Sequence, residues 1–199
     1  MLFDRDGTLN LDRGFVRSPE QIELYPGAGA ALRMLRECGF RLAILTNQPV
    51  IARGEASADD VAAIHRRIEW KLGEEGAYVD GIYVCPHHPD RGFAGERPEL
   101  KIACACRKPE TGLFEAARRE LNLDPARTWM VGDTTRDIEM ARRAGLRSVL
   151  VLTGEGGQDG LFPCTPDYVA KDVAEAAAFI RMHTAAHAGL ASLAAGARQ

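Results

Sequence analysis

Short apolar runs alternate with amphipathic segments along this chain, and nothing else in the sequence restricts its fold as much. "RLAILTN" (41–47), "GIYVC" (81–85), "TWMVGD" (128–133) and "RSVLVL" (147–152) read as buried strands. Between them, 28–38 places Ala28, Ala31, Leu35 and Cys38 on one helical face and stops at Gly39. In 57–72, Ser57 and Asp60 resemble an N-terminal cap ahead of a stripe of Val61, Ile64, Ile68 and Leu72. Segments near 111–121 and 135–144 repeat the pattern, the second ending at Gly145. Such alternation predicts an α/β fold: a Rossmann-like parallel sheet with helices on both faces. At 199 residues the chain is expected to form one domain, 1–183, followed by an alanine-rich tail, 184–199.

In sheets of this kind ligands bind beyond the carboxyl ends of the strands. The polar residues that end the predicted strands should therefore meet: Asp4 and Asp6, Thr46 and Asn47, and Asp133. In "MLFDRDGTLN", Asp4 and Asp6 are two positions apart and project the same way at a strand end. Two such anions repel unless a cation or a proton sits between them. Magnesium suits the position, because it takes oxygen ligands from one or two carboxylates plus a substrate phosphate. Gly7 lets the chain turn sharply and Thr8 can hydrogen-bond within that turn. Asp133, in "VGDTTRD", is a third carboxylate; Asp137 stands where a helix begins and suits either that helix's first turn or the metal. Thr46 and Asn47 offer hydrogen bonds, and Lys108 in "CRKPE" offers a mobile charge of the kind phosphoryl transfer needs. A lysine beside a proline is more often solvated surface.

Residues 85–106 break the rhythm with Pro86, Pro89 and Pro98, over a length that in a compact domain is functional or disordered. Cys85, His87, Cys104 and Cys106 form a Cys₃His set suited to tetrahedral zinc, with reduced, unliganded thiols as the alternative and His88 as an equally available donor. Four protein ligands leave no open position, so such a zinc would be structural, holding Arg107 and Lys108 over the site. Cys38 and Cys164 read as ordinary packed or inert thiols, and His65, His183 and His187 as ordinary helix or tail residues. A net charge of -3 gives no support for a general nucleic-acid binder. No apolar run approaches the ~20 residues of a membrane span. The expectation is a cytoplasmic monomer acting on a small molecule, without membrane or nucleic-acid partners.

"DRDGT", "LTNQ", "RKP" and "VGDTTRD" stand in the order and spacing of the haloacid dehalogenase (HAD) superfamily of aspartate-nucleophile phosphohydrolases, and the resemblance runs from residue 3 to about 180. "TNQPVIARG", "DGIYVCPHHP" and "CACRKP" resemble its heptose-bisphosphate phosphatase branch, with histidinol-phosphate phosphatases as near relatives. The resemblance implies that Asp4 attacks phosphorus and forms an aspartyl-phosphate. Asp6 would protonate the leaving alcohol and then activate water, a division that suits a pair with one carboxylate ionised beside Mg²⁺ and the other holding a proton. Asp4 and Asp133 would bind Mg²⁺ through side chains and Asp6 through its carbonyl, Thr46 and Lys108 would hold phosphate, and the Cys85, His87, Cys104, Cys106 set would bind zinc.

With no cap domain the site should be open. The resemblance implies a sugar pocket from Asp12, Arg13, Gly14 and Phe15 and from Thr46, Asn47, Gln48 and Pro49. Arg107, Arg53 and Arg13 are candidates for a second cationic patch. Three positions depart from the branch: Thr134 stands where lysine is typical, Pro49 where serine is frequent, and Arg13 where histidine is. A lost lysine at position 134, on the phosphate-binding edge, bears on affinity or substrate choice. The competing expectations are a histidinol-phosphate or other small-molecule phosphatase, and an inactive, zinc-ordered binding module.

Overall fold

The structure, a computed structural model, describes residues 1–196, with those from 185 onward described by backbone alone. Six parallel strands lie in the order β3-β2-β1-β4-β5-β6. They are β1 Leu2–Phe3, β2 Ala43–Asn47, β3 Gly81–Cys85, β4 Trp129–Gly132, β5 Arg147–Val151 and β6 Tyr168–Ala170. The helices are α1 Ala28–Glu37, α2 Ala58–Glu74, α3 Gly112–Leu121, α4 Thr135–Ala144 and α5 Val173–Gly196. Both faces of the sheet are covered, which is why its central strands are apolar without alternation. Leu2, Ala43, Leu45 and Met130 pack on Leu113, Phe114 and Ala117 of α3 and on Met140 and Ala141 of α4. On the other face Phe3, Ile44, Val131 and Val149 meet α1, α2 and α5 through Leu32, Leu35, Ile64, Ile68, Ala176 and Ile180. Each of these large side chains contributes about 1.5–3 kcal/mol by leaving water.

Helix ends follow local chemistry. The Ser57 hydroxyl accepts the Asp60 N–H at 3.0 Å, and the Asp60 carboxylate accepts the Ser57 N–H at 2.8 Å, closing the start of α2. Gly145 ends α4 in the left-handed region at φ 68°. Cys38 departs from expectation: it caps the end of α1 and is exposed, because the helix unwinds there before its side chain can join the apolar face.

Two elements went unmarked by periodicity. Strand β6 has only three residues and pairs with β5 alone, too short a run to show a period. Helix α5 continues to Gly196, through the segment read as tail, in keeping with the high helix propensity of alanine. The His187 side chain lies outside the described residues; His183 packs edge-on to Trp129, 5.4 Å between ring centroids. Among the described residues no helix is long and apolar enough to cross a membrane.

Topology places the chemistry. The chain steps from β1 to β2 and β3 on one side and returns to β4, β5 and β6 on the other, so the crevice beyond the carboxyl end of β1 is the switch point. Phe3 is level with Ile44 and with Val131, and the Asp4 N–H donates to the Val131 carbonyl at 2.9 Å. Asp4, Thr46 and Asp133 therefore end three neighbouring strands within about two residues of one level.

Gly7 makes the turn that follows. Its φ is +77°, and a Cβ there would lie 2.1 Å from Asp133 Oδ2. Gly7→Ala combines left-handed strain with that overlap, and is expected to cost about 2 kcal/mol or more. The corresponding fall in Tm, roughly 4–8 °C by thermal unfolding, checks it.

Candidate active site

Oxygens of Asp4, Asp133 and Asp137 all lie within 4.8 Å of one another. Asp133 is buried, and accepts from Thr8 Oγ1 at 3.2 Å and from the Glu155 N–H at 2.9 Å. Asp137 takes the helix-start role that its position allowed and also pairs with Lys108 within the carboxylate cluster. Its Oδ2 accepts from the Thr134 hydroxyl at 2.6 Å and the Thr134 N–H at 3.2 Å, fixing the start of α4, while its Oδ1 lies 2.6 Å from Lys108 Nζ. Lys108 Nζ is also 2.8 Å from Asp4 Oδ1, so the lysine is buried rather than solvated. Asn47 clasps the lysine's backbone: its Oδ1 accepts the Lys108 N–H at 3.0 Å and its Nδ2 donates to the Lys108 carbonyl at 3.1 Å.

One ammonium thus faces three carboxylates. Burial, partly offset by Lys108 and reinforced by Asp137, pushes Asp4 up to about 7. Burial and the charges of Asp4 and Asp137 push Asp133 up to about 8. Lys108 is raised despite burial, because Asp137 and Asp4 favour its charged form. Hard oxygen donors with an excess of negative charge, in a niche closed by Gly7, fit a divalent cation such as Mg²⁺.

Asp6 has the opposite environment. Arg5 donates to it from Nε at 3.0 Å and from Nη2 at 2.6 Å, Asn10 Nδ2 at 2.9 Å and Gln48 Nε2 at 2.9 Å. Burial alone would raise its pKa, but the Arg5 charge and these hydrogen bonds outweigh it and lower it. The protein's own groups alone thus favour the proton on Asp4 and the charge on Asp6, whereas the expected division refers to a carboxylate ionised beside Mg²⁺. Arg5 is fully buried and its Nη1 lies 3.2 Å from His65 Nε2. Burial and the Arg5 charge push His65 down to about 4, so its ring is neutral and accepts from Arg5. His65 is more than an ordinary helix residue. Its only signal in sequence was a polar side chain next to the Ile64 stripe.

A cavity of about 350 Å³ adjoins the carboxylates. Asp12, Gly14, Phe15 and Pro49, from the two segments the resemblance points to, line it together with the candidate Arg53 and Arg107 and with Thr134, and so do His88, Arg136 and Glu155, which were not marked in sequence. Arg13 is not in this lining; its guanidinium pairs with Glu23 at the surface. Thr46 is buried and Gln48 Nε2 donates to its hydroxyl at 2.8 Å; these two and Asn47 are not among the residues lining this cavity. Lys108 borders a neighbouring hollow of about 710 Å³, shared with Arg107, His88 and Arg136. In the departure position, Thr134 caps α4 instead of presenting a charge.

The cysteine cluster assembles. Cys85 Sγ lies 3.6 Å from Cys104 Sγ, 3.2 Å from Cys106 Sγ and 3.7 Å from His87 Nδ1. Cys106 Sγ is 3.3 Å from both Cys104 Sγ and His87 Nδ1. A disulfide would bring two sulfurs to about 2.05 Å. The observed separations are instead close to the edges, about 3.5–3.8 Å, of a zinc tetrahedron with bonds of 2.0–2.3 Å. His88 is outside the set, its Nδ1 accepting the Asp90 N–H at 3.2 Å. The Arg107 guanidinium donates to the His87 carbonyl at 3.2 Å, tying the cluster to the cavity wall.

Known proteins share this arrangement of sequence and fold. A profile described as HAD-hydrolase-like matches residues 105–176. The D-glycero-beta-D-manno-heptose-1,7-bisphosphate 7-phosphatase of Haemophilus ducreyi is 41% identical over 157 residues, 78% of this chain and 84% of its own length. The enzyme of that name from Yersinia pestis is 40% identical over 156 residues, 78% of this chain and 81% of its own. The crystal structure of D,D-heptose 1.7-bisphosphate phosphatase from B. bronchiseptica, complexed with magnesium and phosphate, superposes with a TM-score of 0.78 at 34% identity, over 92% of this chain and 98% of that one. With the motif carboxylates and Lys108 converging at the sheet's switch point, the chain belongs to the D-glycero-beta-D-manno-heptose-1,7-bisphosphate 7-phosphatase family of HAD-like hydrolases.

Proposed function

We propose that this chain is a Mg²⁺-dependent phosphatase that removes the 7-phosphate of D-glycero-D-manno-heptose 1,7-bisphosphate. The observation that carries the proposal is the Lys108 ammonium held between Asp4 and Asp137, beside Asp133. It joins a nucleophile, a phosphate-binding cation and a metal niche in one buried place. Asp4 and Asp133 through side chains, and Asp6 through its carbonyl, are the residues that would hold Mg²⁺. When bound, the ion supplies positive charge that offsets these carboxylates and the substrate phosphate.

The protein's own groups divide the rest. Lys108 draws a phosphate oxygen toward Asp4, whose carboxylate oxygen bonds to phosphorus as the bond to the ester oxygen breaks. The leaving alkoxide takes a proton from Asp6. Water then attacks the aspartyl-phosphate, Asp6 takes the water's proton, and the Asp4 carboxylate leaves with its electron pair, releasing phosphate. The four donors around Asp6 suit its role as base in this second half. To deliver a proton in the first half it must release at least one of them, since a protonated carboxyl accepts fewer hydrogen bonds. Thr46, through Gln48, and His65, through Arg5, hold that arrangement in place.

The Cys85, His87, Cys104 and Cys106 cluster is proposed to bind structural zinc, with no position left open for a reacting water. Its task is to hold Arg107 and Lys108, which follow Cys106 directly in the chain.

Phosphate release from both anomers of heptose 1,7-bisphosphate, from histidinol phosphate and from a generic ester, with and without Mg²⁺, tests the assignment. Preference for the heptose with an absolute need for Mg²⁺ supports it, and equal rates on all esters would contradict it. Asp4→Asn is expected to lower kcat by about 10⁴-fold or more, with Tm unchanged or raised because carboxylate crowding falls. In the protein alone, Asp4 and Asp133 hold protons to about pH 7 and 8, whereas in the unfolded chain they lose them near the ordinary carboxyl value of 3.8. Stability should therefore decline as pH rises from about 4 to 8, and the rise in Tm on adding Mg²⁺ should be larger at pH 8 than at pH 6. Zinc-free protein, verified by metal analysis, should keep its far-UV circular dichroism but show a raised KM; full activity without zinc would refute the structural role.

A further inference from the structure

Helix α4 carries a cation in the one place where helix physics disfavours it. Arg136 stands in the first turn, beside the partial positive charge of the helix start. The other two arginines of α4 are in its last turn, where the dipole favours them, and both are held by a carboxylate. Arg142 Nε is 2.7 Å from Glu139 Oε2, and Arg143 Nε is 2.8 Å from Glu139 Oε1. Arg136 has no such partner: among the described residues its side chain forms no hydrogen bond and no ion pair. The acidic groups nearest to it in sequence are engaged elsewhere. Asp133 accepts from Thr8 and from the Glu155 N–H, and Asp137 from Thr134 while pairing with Lys108. Asp159 accepts from the N–H and the hydroxyl of Thr135.

The location of Arg136 gives the charge a use. It lines both the cavity beside the carboxylates and the neighbouring hollow of about 710 Å³, and so does Arg107. Asp4, Asp6 and Asp133 border the cavity but not the hollow, so the two arginines stand where the site passes from one to the other. They are close enough to repel: the charge of Arg107 is disfavoured first by burial, and also by Arg136 and Arg53. Different elements hold them there. Arg107 follows the cysteine cluster and donates to the His87 carbonyl at 3.2 Å, and Arg136 is carried by α4. The nearby Glu110 does not neutralise them, being paired with Arg143 at 2.7 Å. Two planar, permanently charged donors brought together without a carboxylate between them are complementary to a phosphate dianion.

We infer that Arg136 is a specificity-determining residue: with Arg107 it binds the phosphate of the substrate that is not cleaved. This rests on the bisphosphate reading above. A phosphate at Asp4 leaves the rest of the substrate to cross the cavity toward the two arginines. An anion arriving there also removes the conflict at the start of α4, since negative charge is favourable at a helix N-terminus. Thr134, occupied in capping the helix, leaves position 136 to supply the cation.

The test uses full-length protein with Mg²⁺ and verified zinc content, and reads the two phosphate positions separately. Heptose 1-phosphate, the product, carries only the uncleaved group, and inorganic phosphate stands for the cleaved one. Arg136→Gln should raise the inhibition constant of heptose 1-phosphate, and KM for the bisphosphate, roughly 10-fold, while leaving the inhibition constant of inorganic phosphate as it is. Its Tm should stay the same or rise, because Arg136 has no partner in the protein to lose. Arg136→Lys keeps the charge without the planar fork and should fall between the wild type and Arg136→Gln; it reads the same site should Arg136→Gln fold poorly. An unchanged inhibition constant for heptose 1-phosphate in Arg136→Gln, or an equal rise for inorganic phosphate, would overturn the assignment. A wild-type kcat/KM no higher for heptose 1,7-bisphosphate than for heptose 7-phosphate, seen before any variant is made, would overturn the bisphosphate reading and this role with it.

Discussion

The ammonium of Lys108, buried between Asp4 and Asp137, is the contact on which the rest of the site depends. Removing charges from water is costly, and a buried ion pair seldom repays that cost in stability. Here the chain spends structure to keep it. Asn47 holds the lysine's backbone from the end of β2, and α4 begins on Asp137. The cysteine cluster ends two residues before the lysine. Three elements distant in sequence thus serve one nitrogen atom, and their convergence fixes a cation among the carboxylates at the switch point.

Two carboxylates of a single turn show how environment divides labour. Asp4 and Asp6 start with the same chemistry. Asp4 faces other carboxylates in a buried niche and is pushed up, whereas Asp6 is surrounded by Arg5, Asn10 and Gln48 and is pushed down. Pairs of acids separated in this way mark acid–base sites. The excess of negative charge around Asp4 is a deficit that a divalent cation corrects, and the neutral His65 ring, by accepting from Arg5, keeps that guanidinium on Asp6.

The donor-rich cavity is the counterpart of that acidic niche. Among the described residues its arginines pair with no carboxylate, while in the niche three carboxylates share the Lys108 ammonium, so the two halves are complementary to a substrate with anionic groups at both ends. Thr134 adds no charge to the niche; it is occupied in capping α4. The cationic character of the wall comes from Arg53, Arg107 and Arg136.

The strands and helices with a clear period were legible in the residues, because burial against a sheet is recorded locally as spacing. Asp4, Asp6, Thr46 and Asp133 were legible as well, since a parallel sheet gathers whatever ends its strands. The zinc-type cluster was recognisable from Cys and His count in one loop. Short β6 was not, having too few residues for a period, and Arg13 was misplaced in the cavity because proximity in sequence to Gly14 does not say which way a side chain turns. Arg5 and His65 owe their roles to partners supplied by tertiary structure. Only the folded chain decided that Asp6 is the better-stabilised anion, since the direction of a pKa depends on the charges and donors that surround a group in space, and those come from segments the sequence leaves far apart.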